Sequence, residues 1–400
     1  MLLATTVRWP SAGRLAGAFS EAGMTVEGLL PSDHPAQHSR YFKRIHLYRP
    51  LSGAAAFADA IAHFQPDIVL PLDDRATSLM LQAYARASDE VAKLIEHSLG
   101  DLARYPELMS RGGFIAAAAE ADIRTPLTYA IHDEDELEAA LAKTGFPAVI
   151  KADGTWGGSG VIVAHDRESA RRAYRKLSDP PSLLRSIARA IRRSDLHHLQ
   201  DGLKPNGSSV SVQQFVSGTP ATTSLSCWKG KLLAANHLET VASQERNGPA
   251  SVLRRIESKE MDDAASRLVL RFGLSGIHGL DYIRDHDGRA YLLEINPRSP
   301  QSSYLSFGPR HDPVSSLAGA ATGRNRTARP RAAGDVIALF PQEWMRDPAS
   351  PYLKEAFHDV PWDDPALVRA WMNSPEARPA LARWRVFMAD NGREPVSQQA

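Results

Sequence analysis

Along the first hundred residues, short apolar runs alternate with stretches whose apolar positions recur at helical spacing. MLLATTV reads as a strand, SAGRLAGAFSEAG as a helix with a glycine stop, and MTVEGLL as a second strand. A short strand RIHLY, a helix AAAFADAIAHF and a strand DIVLPL follow. Alternating β and α elements predict a parallel sheet covered by helices. Asp73 and Asp74 fall at the carboxyl end of DIVLPL, where open α/β sheets place ligands. The bland alternative is a loop acid or a cap for the helix RATSLMLQAYA.

Further on, the pattern becomes strands divided by turn residues. An apolar run ending in Lys151 meets a loop holding Gly154, Gly157, Gly158 and Gly160, and a second run, Val161 to Ala164, returns. Glycines let backbone N–H groups approach a polyphosphate, and a lysine at the strand end supplies a point charge. The next element is a strand, so this is neither a Walker A loop nor a dinucleotide turn. SVSVQQFV is an alternating strand followed by Ser217-Gly218 and another strand. AANHLET and SVLRRI are also strand-like, and the adjacent Arg254 and Arg255 must point to opposite faces.

GLDYIRDHDGRAYLLEINPR reads as a β-hairpin with Asp287-Gly288 as a two-residue turn. Asp281 and Glu294 are then equally far from the turn and directly opposed, and Asn296 points to the same face. The reading gives Ile283 and Leu292 as their face-mates, with Leu280, Tyr282, Leu293 and Ile295 on the other face, so both faces are apolar. Opposed carboxylates weaken a sheet unless a cation sits between them. Three hard oxygen ligands suit Mg2+, with Mn2+ as a substitute. Acids that merely face solvent are the alternative.

Taken in order, the lysine with its glycine-rich hairpin, then VQQFVSG, LDYI and LLEINPRSP resemble the ATP-grasp superfamily, over about residues 104 to 310. The resemblance implies an α/β N-terminal domain of the Rossmann-like, pre-ATP-grasp kind over 1–103 and a two-subdomain ATP-grasp domain over 104–325. The lid-bearing subdomain would span about 127–210, and 326–400 would be a C-terminal extension packed on the core. It implies that Arg111, Lys151, Gly157, Gly158, Ser159 and Gly160 bind the ATP phosphates. Gln213, Gln214, Phe215 and Val216 would form the hinge strand that reads the adenine edge. Asp281, Glu294 and Asn296 would bind magnesium, and Arg298, with Arg255 or Arg254, would offset charge on the transferred phosphate. Members commonly carry glutamates where this chain has Gln213 and Pro220, so ribose recognition is expected to be weaker or moved elsewhere.

The implied activity is ATP- and Mg-dependent ligation of a small-molecule carboxylate to an amine through an acyl phosphate. A bicarbonate-activating reaction of the biotin carboxylase or carbamoyl phosphate synthetase type is the enzymatic alternative, and a non-catalytic nucleotide-binding protein is the other.

Composition narrows the field. A chain of 400 residues suggests two to three domains. With 47 basic against 46 acidic residues the net charge is +1, so nucleic acid and anionic membranes are not expected partners. The single cysteine, Cys227, fits a reducing cytosol and reads as a core residue. No apolar run reaches the ~20 residues of a membrane helix, and MLLATTVRWP is broken by Arg8 and Pro10, so a cytoplasmic location is expected. His237, His278 and the His197-His198 pair lack zinc spacing. SLLRSIARAIRRSDLHHLQ has the spacing of a helix with a solvated arginine face. A homodimer is expected on symmetry grounds alone.

Overall fold

A computed structural model of the chain describes residues 1–50, 53–152, 160–178, 210–245 and 248–391. Its first sheet is wholly parallel, with β1 (Leu2–Ala4), β2 (Val26–Pro31), β3 (Phe42–Tyr48) and β4 (Val69–Pro71) in the order β3-β2-β1-β4. Helices Ser11–Glu21, Gly53–Phe64 and Asp74–Tyr84 connect or follow these strands, as the alternating pattern predicts. β1 and β4 are buried along their whole length, which is why they read as unbroken apolar runs.

A second, antiparallel sheet has the order β5-β8-β6-β7, from β5 (Thr128–Ile131), β6 (Ala148–Ala152), β7 (Val161–Ala164) and β8 (Val210–Gln214). Helices Glu134–Thr144 and Arg167–Ser178 cover one face of it around a core that includes Ile131, Leu141, Ile150 and Val212. The opposite face, with Lys151, Ser211 and Gln213, turns away from that core.

The largest sheet has seven strands in the order β13-β12-β9-β10-β11-β14-β15. They are β9 (Thr219–Trp228), β10 (Lys231–Ser243), β11 (Ala250–Ile256), β12 (Gly276–Arg284), β13 (Ala290–Asn296), β14 (Val336–Leu339) and β15 (Phe357–Asp359). Helix Lys259–Phe272 packs on one face and buries Met261, Leu268, Val269 and Phe272 against Leu225, Leu280, Tyr282 and Leu292. Ser258 starts that helix by accepting from the Met261 N–H, and Gly273 ends it in a left-handed conformation.

Two strands of the C-terminal region, β14 and β15, extend this sheet. β14 pairs antiparallel with β11 and parallel with β15. Beyond them, Leu367 and Trp371 pack in one cluster with Leu15 and Phe19 of the first helix. Cys227 is fully buried, and burial pushes its thiol up. No helix among the described residues is long and apolar enough to cross a membrane.

Candidate active site

Asp281 on β12 faces Glu294 on β13, but not through the turn the sequence predicts. The two-residue turn at Asp287-Gly288 is replaced by a five-residue connection, Asp285 to Arg289. It is closed by Asp285 N–H to Arg289 O at 3.0 Å and Gly288 N–H to Asp285 O at 3.0 Å. The Asp285 carboxylate also accepts from the N–H groups of Asp287 at 3.0 Å and Arg289 at 2.8 Å, an Asx-type closure. Near the tip, Tyr282 therefore pairs with Leu292, a register one residue off the expected one. Leu293 is then an extra residue, a β-bulge, and beyond it Asp281 meets Glu294 and Gly279 meets Asn296.

The bulge reassigns the faces. Leu292 joins Leu280 and Tyr282 in the packed core and is not a face-mate of Asp281. The face of Asp281 and Ile283 is half-buried rather than covered, as are Glu294 and Asn296. The hairpin thus has one packed face and one that opens on a cleft, where the sequence reading expects cover on both.

Across the cleft stands the second sheet. Lys151 on β6 is only 6% exposed. Burial, with the Arg111 charge adding to it, lowers its pKa from 10.5 to about 8 against the opposing pull of Glu294 and Asp281. Arg111 opens the helix Arg111–Glu120, which Ser110 caps. Its guanidinium joins the two sides, donating from Nη1 to Ala152 O and from Nη2 to Glu294 Oε2, both at 3.0 Å. Burial, then the facing Glu294 carboxylate, pushes Asp281 above the usual carboxylate range, while hydrogen bonds from Thr222 and Asn296 pull it back. Asn296 Nδ2 donates to Asp281 Oδ2 at 2.8 Å.

The chain leaving β13 carries Arg298 toward the N-terminal sheet. Its Nη2 donates to Asn296 Oδ1 at 3.0 Å and its Nε to Asp74 Oδ1 at 3.2 Å. Burial works against the Arg298 charge, but Asp74 and Asp281 more than offset it and raise its pKa. The neighbouring Asp73 has the bland role. It accepts from Thr5 Oγ1 and Thr6 N at 2.7 Å and from Thr6 Oγ1 and Ala76 N at 2.9 Å, so it is spent on capping a helix and tying down a loop.

Comparison with known proteins bears on this cleft directly. Residues 194–302, which include the whole hairpin, match the family model of the ATP-grasp domain. Residues 110–180, with Arg111 and Lys151, match that of the ATP-binding domain of the carbamoyl-phosphate synthase L chain. Both matched segments point to the ATP-grasp superfamily.

Among curated relatives, it is 27% identical over 263 residues to a carbamoyl phosphate synthase large chain of Gemmatimonas aurantiaca, an alignment covering 64% of this chain but 22% of that one. The chain therefore spans about a fifth of that relative's length. Two solved structures share its fold. The biotin carboxylase domain of Hydrogenobacter thermophilus 2-oxoglutarate carboxylase has a TM-score of 0.58 at 14% identity, over 81% of this chain and 70% of that one. N5-carboxyaminoimidazole synthetase from Staphylococcus aureus has 0.55 at 12%, over 82% and 78%.

The remaining candidates of the ATP-grasp domain are dispersed around the cleft. Gln213, 2% exposed, lies on the Lys151 face of the second sheet and donates to Thr128 Oγ1 at 2.9 Å. Gln214 ends β8, and its N–H donates to Leu127 O at 2.8 Å. Phe215 is exposed and Val216 half-buried in the link to β9. Gly218 in that link cannot carry a side chain, because a Cβ would lie 2.0 Å from the Arg284 carbonyl oxygen. Pro220 is exposed, opposite Ile283.

Arg255 shares a row, and so a face, with Asp281 through Thr222 and Leu238. Three strand spacings separate Arg255 from Asp281, roughly 14 Å. Its guanidinium donates to Glu257 at 3.1 Å and lies 5.5 Å from the Phe307 ring centre. Arg254 is exposed on the other face. Gly160 follows the loop and its carbonyl accepts from Ala152 N–H at 2.9 Å. Gly154, Gly157, Gly158 and Ser159 lie outside the described residues, as does the helix expected over SLLRSIARAIRRSDLHHLQ.

Sequence reasoning missed the bonds that Thr222 and Asp74 make to Asp281 and Arg298. Thr222 alternates with core residues on β9, so its face was readable. Asp74 was singled out, but nothing in the sequence distinguishes its partner from that of Asp73.

Proposed function

We propose that this chain is an ATP-dependent enzyme that activates a substrate carboxylate by phosphoryl transfer and passes the acyl group to an amine. The observation that carries the reading is the cleft itself, with Lys151 and Arg111 on one side and the opposed Asp281 and Glu294, with Asn296 beside them, on the other. Two sheets present opposite charge to a common gap, which suits a polyphosphate accompanied by a cation.

Asp281, Glu294 and Asn296 would hold Mg2+, and the donor set fits. Two carboxylates and an amide are hard oxygen ligands. Among the described residues no three His, Cys, Asp or Glu side chains form a metal cage, so phosphate and water oxygens would complete the shell, as is usual for Mg2+. When bound, the ion supplies charge neutralisation at the β and γ phosphates. The chain's own residues do the rest. Lys151 and Arg111 hold phosphate oxygens, and Arg298 holds the acid or its transferred phosphate. Attack of the carboxylate oxygen on the γ phosphorus breaks the bond to the β-phosphate oxygen and releases ADP. The amine nitrogen then attacks the acyl carbon, phosphate leaves, and the amine loses its proton. Positioning and electrostatics suffice for such a transfer.

Bicarbonate as the acid is the second reading. It is supported by the fold shared with a biotin carboxylase domain solved with MgADP, ADP and bicarbonate, and by the kinship with carbamoyl phosphate synthase large chains.

Incubation with ATP and Mg2+, alone, with bicarbonate, and with pooled carboxylic acids with or without pooled amines, separates these readings. Release of ADP and phosphate that needs both acid and amine is the expected result. Release driven by bicarbonate moves the assignment to the second reading, and tight ATP binding without turnover in any pool overturns both.

A further inference from the structure

The tripeptide that follows the ligand strand is held residue by residue by the N-terminal sheet and its helix. Thr77 Oγ1 donates to the Pro297 carbonyl at 2.8 Å, Asp74 Oδ1 accepts from Arg298 Nε at 3.2 Å, and the Ser299 N–H donates to the Pro71 carbonyl at 3.0 Å. From the same guanidinium a chain of bonds runs back into the cleft, Arg298 Nη2 to Asn296 Oδ1 at 3.0 Å and Asn296 Nδ2 to Asp281 Oδ2 at 2.8 Å. In this arrangement its polarity follows from the donors present. A guanidinium has no acceptor, so it can face only the oxygen of Asn296, and the amide nitrogen is thereby turned toward Asp281.

We propose that Asp74 is a positioning residue for the divalent-ion site, holding Arg298 off the carboxylates so that Asp281 and Asn296 are available to the ion. The inference rests on the reading of Asp281, Glu294 and Asn296 as ion ligands. Asp74 and Arg298 are 26% and 17% exposed, a partly buried pair whose rupture strands a charge. With Asp74 removed, the carboxylate within the same network is Asp281, and an arginine on Asp281 occupies the oxygens a divalent ion needs. With Asp74 in place, Asn296 can rotate to offer Oδ1 to the ion while Arg298 stays anchored through Nε. The contact comes from a helix of the N-terminal unit and not from the ligands' own sheet, so the docking of that unit sets the quality of an ion site it does not line.

The test is titration of the full chain with Mn2+ alone, free Mn2+ being read by electron paramagnetic resonance with no nucleotide present. Asp74→Ala is expected to bind Mn2+ about tenfold more weakly than the unsubstituted protein, the usual scale for losing a group that orients a metal ligand. Arg298→Ala should bind at least as well as the unsubstituted protein. The deciding comparison is Asp74→Ala within the Arg298→Ala background, where it should have no effect, because its only route to the ion is gone. Persistence of the tenfold loss there would reveal a through-space charge effect or general loosening and overturn the proposal. Unchanged Mn2+ binding in Asp74→Ala would overturn it too. Asp74→Asn, which keeps the side-chain shape, repeats the comparison if the alanine variant does not fold. Glu294→Gln serves as the control for the underlying reading. If it also leaves Mn2+ binding untouched, the ion site is misassigned and the proposal falls with it; if it weakens binding while Asp74→Ala does not, only the role of Asp74 is lost.

Discussion

The two sheets that face each other across the cleft hold their charged groups by different means. The hairpin sheet fixes each of its acids with named partners. Asp281 has Thr222 and Asn296, Glu294 has Arg111, and the strand tail is gripped by the N-terminal unit. The smaller sheet keeps Lys151 almost wholly buried, with a lowered pKa, on a four-stranded element with a core of its own. One side is built as a rigid receptacle. On the other, the lysine is maintained at a cost to the fold that Glu294 and Asp281 offset in part and that, on the proposed function, an anion entering the gap would offset further.

The sharpest way to break this contrast is to remove an acid. Glu294→Gln is expected to lower turnover by about a thousandfold, the scale of losing an ion that neutralises phosphate charge, while an unchanged melting curve shows that the sheet persists. Initial-rate assays of ADP release check it, and near-normal turnover would mean that Glu294 holds no ion.

Lys151→Met should separate function from stability. Turnover is expected to fall about a hundredfold, yet the nucleotide-free protein should be more stable than the parent at neutral pH. The sign follows from the depressed pKa. Between about 8 and 10.5 the unfolded chain binds the lysine proton and the folded one does not, so stability rises with pH across that window. Below it the folded protein carries the full cost, roughly 3 kcal/mol. Denaturant melts at several pH values should therefore show the Met variant's advantage at pH 7 shrinking toward pH 10. A Met variant less stable at pH 7 would overturn the idea that this side of the cleft is held at a cost.

The smallest effect tests the reach of the hairpin sheet. Arg255→Ala is expected to lower kcat/KM by about tenfold and Arg254→Ala by less than about twofold, since only Arg255 shares the face of Asp281. Equal losses would mean that the row of paired residues does not define the site.

The split between the two sides also marks what the sequence could convey. The alternating β and α pattern announces the parallel sheet, and LLEINPR with LDYI brings two carboxylates together because strand periodicity is a local property. Leu293 is not local. Whether a strand takes an extra residue depends on which neighbours pack against Leu292 and on the closure that Asp285 makes, so Asp281 meets Glu294 by two departures that cancel. Asp73 and Asp74 are equally acidic neighbours, and only the arrival of Arg298 from a remote strand divides their roles. VIALF is legible as a strand from its residues, but its place beside β11 follows from tertiary packing alone.

Leu293 acts on the hairpin as a single inserted letter that restores a reading frame. Everything before it in β13 is counted from the tip, and everything after it is counted from the cleft. Were Leu293 instead paired with Asp281 in regular alternation, Leu293 and Ile295 would face the gap and Glu294 and Asn296 would turn to the packed side beside Leu280, because a one-residue slip exchanges the faces of a strand. With it in place, the length of the tip between Asp285 and Arg289 and the position of the acids are separate variables. The tip can be rewritten without moving the acids.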